Sequence, residues 1–172
     1  MLVASGGAAR IVNDGYGGNR DDEGPLRRLV QRPDAIPETD TVPVPAGGHV
    51  ALPLPLFWGT MPRFLGRFSR DLELLSLEDA VARITSVPAR RARLADRGEL
   101  RPGAYADVVL FDPIALGDRG TVLDPEPAAG IEWVFVNGAP TVSGGAYDPS
   151  RLPGRALRAS ETSTIRREAV PA

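Results

Sequence analysis

The sequence contains no cysteine, no lysine and a single histidine. Without cysteine there is neither a disulfide nor a thiolate ligand for a metal, so the redox state of the compartment is left open. Without lysine, all 20 cationic side chains are arginine; against 22 carboxylates they leave a formal charge of -2, which points to no strongly charged partner. One histidine is too few for a hydrolytic zinc site, which draws three or four His, Asp, Glu or Cys ligands to about 2.0–2.3 Å. His49 lies in Ala46-Gly47-Gly48-His49-Val50, with no second histidine at i+2 or i+4, and reads as a loop residue. A Gly-x-Ser-x-Gly elbow and a Gly-Lys-Ser/Thr phosphate loop are both missing, and Gly15, Gly17 and Gly18 are too irregular for a dinucleotide fingerprint. No apolar run approaches the roughly 20 residues of a membrane span. Met1 to Ala9 is a short apolar start that ends in Arg10 without a basic leader, so a cytoplasmic location is expected.

What is present fits one ordinary domain. The 172 residues fall well below the roughly 250 of a complete (β/α)₈ barrel, and 19 Gly with 17 Pro imply much loop. Met1 to Gly7 reads as a short buried strand running into a glycine turn. Residues 13–24 are polar and rich in turn formers; Asp14, Asp21, Asp22 and Glu23 lack the alternating spacing and central glycine of a calcium loop and read as solvated. Pro25 to Val30 suits one or two helical turns with proline at the tolerated first position. From Pro33 to Pro55 the prolines exclude helix and favour extended chain.

The central stretch, Gly59 to Asp112, carries the strongest patterns. Phe64, Leu65, Phe68, Leu72 and Leu75 recur at helical spacing, which predicts a helix from about Pro62 to Leu74. Ser76 with Asp79 three residues on forms a capping pattern, ahead of a stripe of Leu77, Ala80, Val81 and Ile84. That helix should end before Pro88, with one more short helix from Pro88 to Leu94. Ala106 to Asp112 has the composition of a buried strand. Ile131 to Val142 reads as a hairpin turning on Asn137-Gly138, with Ile131, Trp133 and Phe135 on one face, and Pro140 predicts that its second strand is an edge.

Candidate chemistry is sparse. Arg90, Arg91 and Arg93 could attract phosphate, but Asp96 and Glu99 follow closely and no aromatics interleave, so nucleic-acid binding is not expected. Asp107 and Asp112 flank the predicted strand about 16 Å apart and on opposite faces, too far to share a reaction. Their expected work is to accept backbone N–H bonds at the strand ends.

These residues resemble a known family. Gly98 to Asp112, followed by Val136-Asn137-Gly138, is similar to the C-terminal signature of the amidohydrolase superfamily. Phe57 to Gly66, Leu74 to Val81, Thr85 to Ala89 and Pro153 to Arg158 resemble the D-aminoacylases, the N-acyl-D-amino-acid deacylases, in the same order. The resemblance runs from about Leu54 to Arg158. It implies a zinc hydrolase that cleaves the amide of an N-acylated D-amino acid with a metal-activated water and a proton-shuttling aspartate. Its metal ligands are expected on barrel strands before the matched region. Val3-Ala4-Ser5-Gly6-Gly7 resembles the strand end that should carry the catalytic aspartate, but Gly6 stands where the acid should follow. Leu54-Pro55-Leu56 stands where the family has His-Pro-Arg.

The resemblance implies an α/β fragment: an irregular Pro/Gly-rich part over 1–56 with a possible remnant of the last barrel strand, the last barrel helices over 57–95, C-terminal strands of a small β-sandwich over 96–158, and a disordered tail over 159–172. No catalytic, cofactor-binding or metal-ligating residue is assigned, and zinc is expected only of the full-length family. The chain should be inactive alone, completed by an upstream barrel fragment or partner subunit before it meets an N-acyl-D-amino acid. The competing readings are a non-enzymatic interaction module that docks on a partner, and a decayed fragment. Neither nucleic acid nor membrane is an expected partner.

Overall fold

The computed structural model describes residues 2–5, 8–11, 24–39, 56–120 and 126–157. His49, the carboxylates Asp14, Asp21, Asp22 and Glu23, the prolines from Pro43 to Pro55, and the expected tail over 159–172 lie outside the described residues. In chain order the elements are β1 (Leu2–Ser5), β2 (Ala8–Ile11), α1 (Gly24–Val30), α2 (Leu56–Arg63) running into a π-helical segment (Phe64–Asp71), α3 (Leu77–Ile84), α4 (Ser86–Arg91), β3 (Val108–Phe111), β4 (Ile131–Val136), β5 (Ala139–Ser143) and β6 (Ala146–Tyr147). β1 and β2 form an antiparallel pair, and β3-β4-β5-β6 form a second antiparallel sheet in sequence order. No helix of the described residues is long and apolar enough to cross a membrane.

The predicted helix over Pro62 to Leu74 starts earlier, at Leu56, and its regular part stops at Asp71. Pro62 sits inside α2 rather than at its first position. It has no N–H to give to the residue four before it, and from Phe64 the helix continues in the wider π form. Leu72 accordingly donates five residues back, to the Arg67 carbonyl at 2.9 Å. Glu73 then turns left-handed (φ 50) and ends the helix, while Leu74 N–H reaches the Phe68 carbonyl at 3.0 Å. Phe64, Leu65 and Phe68 are buried, with Phe64 and Phe68 edge to face at 6.5 Å.

Ser76 caps α3 as its sequence predicts, accepting the Asp79 N–H at 3.1 Å. Ala80 is fully buried beneath it. α3 ends at Ile84, before Pro88, but α4 begins at Ser86, two residues ahead of the proline, and Arg93 (φ 57) follows its end. The core gathers Val30 of α1, the π segment, Ala80 and Leu116, with Phe111 and Ile131 bringing the near end of the sheet against it. Arg83 of α3 fastens α1 from outside, donating to the Val30 and Arg32 carbonyls at 2.6 and 2.8 Å, where a cation complements a helix C-terminus.

The Asn137-Gly138 turn forms as expected, with both residues at positive φ (49 and 82). Trp133 and Phe135 share a face and stack at 5.9 Å. Two strand expectations are corrected. β5 is not an edge: β6 pairs with it, though only at Val142 and Ser143, so the missing donor of Pro140 is never asked for from that side. β3 is not buried: Val109 and Leu110 stand 51% and 47% exposed on opposite faces, because no second layer covers either side among the described residues.

Candidate functional site

Two places gather polar side chains around the sheet. The first is the junction where the helical layer meets β3. An open, mostly apolar cleft of about 370 Å³ lies there, lined by Leu65, Glu73, Leu77, Phe111 and Leu116 around Arg70. Arg70 Nη1 donates to the carbonyls of Pro113, Ile114 and Leu116 at 3.1, 2.9 and 2.6 Å, and its Nε pairs with Asp71 at 2.7 Å. One guanidinium thus holds the whole turn that follows β3. Nη1 serves the carbonyls while Nε is left for Asp71, a division between two nitrogens that a lysine could not make. The same turn is held from its other end by Asp112, whose Oδ1 accepts the Ile114 and Ala115 N–H groups at 2.8 and 3.3 Å.

The second place surrounds the Asn137 turn. Asp107 accepts the Asn137 N–H at 2.8 Å and pairs with Arg97. Arg97 also donates to Asn137 Oδ1 at 2.6 Å, and Asn137 Nδ2 donates to the Pro153 carbonyl at 2.7 Å. The Tyr105 ring lies between two guanidinium groups, Arg97 at 4.3 Å and Arg155 at 3.9 Å from its centroid. Burial alone would raise the Asp107 pKa, but the Asn137 N–H and the Arg97 guanidinium more than offset it and hold the carboxyl below the usual carboxylate range. Four stretches of chain meet at this lock: 96–97, 105–107, 137–138 and 153–155.

Neither arrangement supplies a nucleophile with a base, or two carboxylates facing one space. Asp107 and Asp112 do the work foreseen for them, each accepting backbone N–H bonds at its own end of β3. Arg90 pairs with Glu99 at 3.2 Å. Ser5 ends β1, and Gly6 lies outside the described residues. Among the described residues no three His, Cys, Asp or Glu side chains come together as metal ligands. Arg70, Arg97 and Arg155 escaped the sequence reading because, apart from Asp71 beside Arg70, their partners lie 8 to 50 positions away, and no local spacing announces them.

Comparison with known proteins places this architecture. The amidohydrolase family matches residues 19–142. N-acyl-D-glutamate deacylase of Alcaligenes xylosoxydans xylosoxydans is 46% identical over 138 residues, which make up 80% of this chain and 27% of that protein. A solved D-aminoacylase, studied for its binuclear metal centre, superposes with a TM-score of 0.67 at 41% identity over 73% of this chain and 26% of its own. The N-acyl-D-glutamate deacylase of Bordetella bronchiseptica, solved with zinc and a phosphonate inhibitor, gives 0.63 at 44% identity, covering 70% and 24%. The chain therefore spans about a quarter of the length of these relatives. Helices leading into an antiparallel sheet, with deacylase relatives at this identity, show that the chain belongs to the amidohydrolase family.

Proposed function

We propose that this chain supplies the last barrel helices and the returning sandwich strands of an N-acyl-D-amino-acid deacylase, an enzyme that hydrolyses a linear amide C–N bond, and that it does not catalyse this reaction alone. The observation that carries the reading is 46% identity to N-acyl-D-glutamate deacylase in a chain with one histidine. Relatives of this kind are metal enzymes. The donor set here does not fit such a centre: a hydrolytic zinc site draws heavily on imidazole, and the described carboxylates Asp107 and Asp112 are spent on backbone N–H groups. No catalytic step is therefore assigned to this chain. Its part is to hold the closing elements in place, with zinc and the N-acyl-D-amino acid engaged only once the remaining polypeptide completes the site.

The test uses the purified chain. Metal analysis after dialysis against zinc, and a D-amino-acid release assay with N-acetyl-D-glutamate, are expected to show substoichiometric zinc and no release. Stoichiometric zinc together with release of D-glutamate overturns the reading.

A further inference from the structure

The cleft between the helical layer and β3 carries polar groups that the fold leaves unused. Three of them come from the end of one helix. Ser69 is only 6% exposed and lines the cleft, yet its hydroxyl has no hydrogen-bond partner among the described residues. Arg70 spends Nη1 on three carbonyls and Nε on Asp71, while its Nη2 has no partner among the described residues either. Glu73 lines the same cleft at the left-handed position (φ 50) that ends the helix, tied there by its N–H to the Ser69 carbonyl at 3.0 Å. Its carboxylate pairs with no cation among the described residues, although Arg70 stands only three positions away.

This combination is unusual for a surface that does nothing. A polar group withdrawn from water needs a partner, and opposite charges three apart on a helix ordinarily meet. Here the turn after β3 holds the guanidinium back, and it does not close on the carboxylate. The rest of the wall is apolar, with Leu65 and Leu116 buried and Phe111 half-buried behind it. A concave, mostly apolar space of about 370 Å³ with a few converging polar groups is the ordinary form of a small-molecule site.

The unused groups define the ligand by complement. An uncommitted guanidinium nitrogen and a hydroxyl suit a carboxylate, the Glu73 carboxylate suits an ammonium, and the wall suits an aliphatic chain. We infer that this cleft binds a free α-amino acid with an aliphatic side chain: its carboxylate on Arg70 Nη2 and the Ser69 hydroxyl, its ammonium on Glu73, and its side chain against Leu65, Phe111 and Leu116. Charge favours this zwitterion over either half of it. Arg70 brings one positive charge and Asp71 and Glu73 two negative ones, so a bare carboxylate would add another anion beside Glu73. A bare amine would leave the guanidinium and the hydroxyl unmatched. The inference stands apart from the deacylase reading, because every group it uses belongs to this chain.

The test titrates the purified full chain, by ligand-observed NMR, with leucine of each hand and with two molecules that each lack one head group. These are 4-methylpentanoate, without the amine, and 3-methylbutylamine, without the carboxylate; glutamate, with a polar side chain, is the third comparison. Leucine of one hand or both is expected to bind with a Kd of about 1 mM or tighter, and the other three at least tenfold more weakly. Glu73→Gln should weaken leucine at least tenfold and leave 4-methylpentanoate unchanged, whereas Ser69→Ala should weaken both. Glu73 is exposed and its side chain gives up no bond to the described residues, so this variant keeps the fold, checked by coincident circular dichroism melts. Comparison of the head groups on wild type tests the inference without any variant. No binding of either hand at about 10 mM overturns it, as does equal affinity for a molecule lacking one head group, or wild-type affinity for leucine in Glu73→Gln. Either result leaves the deacylase reading where the zinc and release assays put it.

Discussion

Gly66 offers the sharpest test of how the helical layer is joined to the turn after β3. A Cβ added there would lie 2.4 Å from the Leu116 carbonyl oxygen and 3.4 Å from the Gly117 Cα. An ordinary contact begins near 3.4 Å, so the carbonyl would have to retreat by about 1 Å. It is poorly placed to do so. Leu116 is 3% exposed, and its carbonyl accepts from Arg70 at 2.6 Å. Overpacking of this kind costs about 1–3 kcal/mol, against which alanine returns about 1 kcal/mol of helix propensity over glycine. Gly66→Ala should therefore destabilise the fold by up to about 2 kcal/mol, read as a fall of roughly 2–4 °C in Tm per kcal/mol for a chain of this size. Gly117→Ala is the matched control, because nothing lies within 4 Å of its added Cβ, and its change should stay within about 0.5 kcal/mol. Denaturant melts followed by tryptophan fluorescence and circular dichroism measure both. Gly66→Ala equal to or more stable than wild type, or equal losses in the two variants, refutes the packing argument.

Other interactions make separable predictions. Ser76→Ala removes the acceptor for the Asp79 N–H and should cost about 1 kcal/mol, while Ser76→Asp, an equally good cap, should restore most of it in the same melts. Arg70→Met leaves the Pro113, Ile114 and Leu116 carbonyls without their shared donor and should cost about 1–3 kcal/mol, with faster hydrogen exchange over residues 112–117. Asp107 has a folded-state pKa below its unfolded value of about 3.9. Its contribution to stability is therefore present above that unfolded value and lost as pH falls through the folded one. Denaturation midpoints between pH 7 and pH 2.5 should show wild type losing its advantage over Asp107→Asn at the acid end, and a constant gap across that range would contradict the lock described around Asn137.

The parts of this fold that could be read in advance are those set by rules of short reach. The Ser76 cap, the Asn137-Gly138 turn and the backbone-capping work of Asp112 each depend on residues within a few positions of one another, whereas Asp107 was read correctly at its strand end although the N–H it accepts comes from Asn137, 30 residues on. β6 belonged with them: Gly144-Gly145, both at positive φ (56 and 79), is a hairpin turn in plain sight between Thr141-Val142-Ser143 and Ala146-Tyr147. The π segment was hidden because Pro62 in a helical pattern reads as a start, and the register of backbone bonds that absorbs it leaves no mark on side-chain spacing. The burial of β3 was misread for a different reason. Val108 to Phe111 is composed for a strand covered on both faces, and composition cannot say whether the fold supplies that cover. The locks around Arg70 and Arg97 stayed invisible because arginine donates to whatever carbonyl or carboxylate the tertiary fold brings near.

The motif that most resembles the deacylases, Gly59-Thr60-Met61-Pro62-Arg63-Phe64-Leu65-Gly66, is explained here by packing rather than by reaction chemistry. Phe64 and Leu65 enter the core, Arg63 meets Asp118 at 3.2 Å and lies over the Phe68 ring, and both glycines mark close approaches. A Cβ on Gly59 would sit 2.8 Å from the Asp118 Cβ, as one on Gly66 would strike Leu116. The two glycines, seven residues apart, thus bring one side of the helix against the 116–118 segment. A motif with that job serves the helix-to-sheet junction, and losing it would open that junction whatever the active site does. The claim is testable as a coupling. Gly59→Ala alone should cost about 1–2 kcal/mol by overpacking, and in an Asp118→Gly background, where the opposing Cβ is gone, the same change should cost close to nothing. Residues in direct contact couple by about 0.5–3 kcal/mol, and independent ones add. Additive losses in this double-mutant cycle would mean that Gly59 is retained for some reason other than the approach of Asp118.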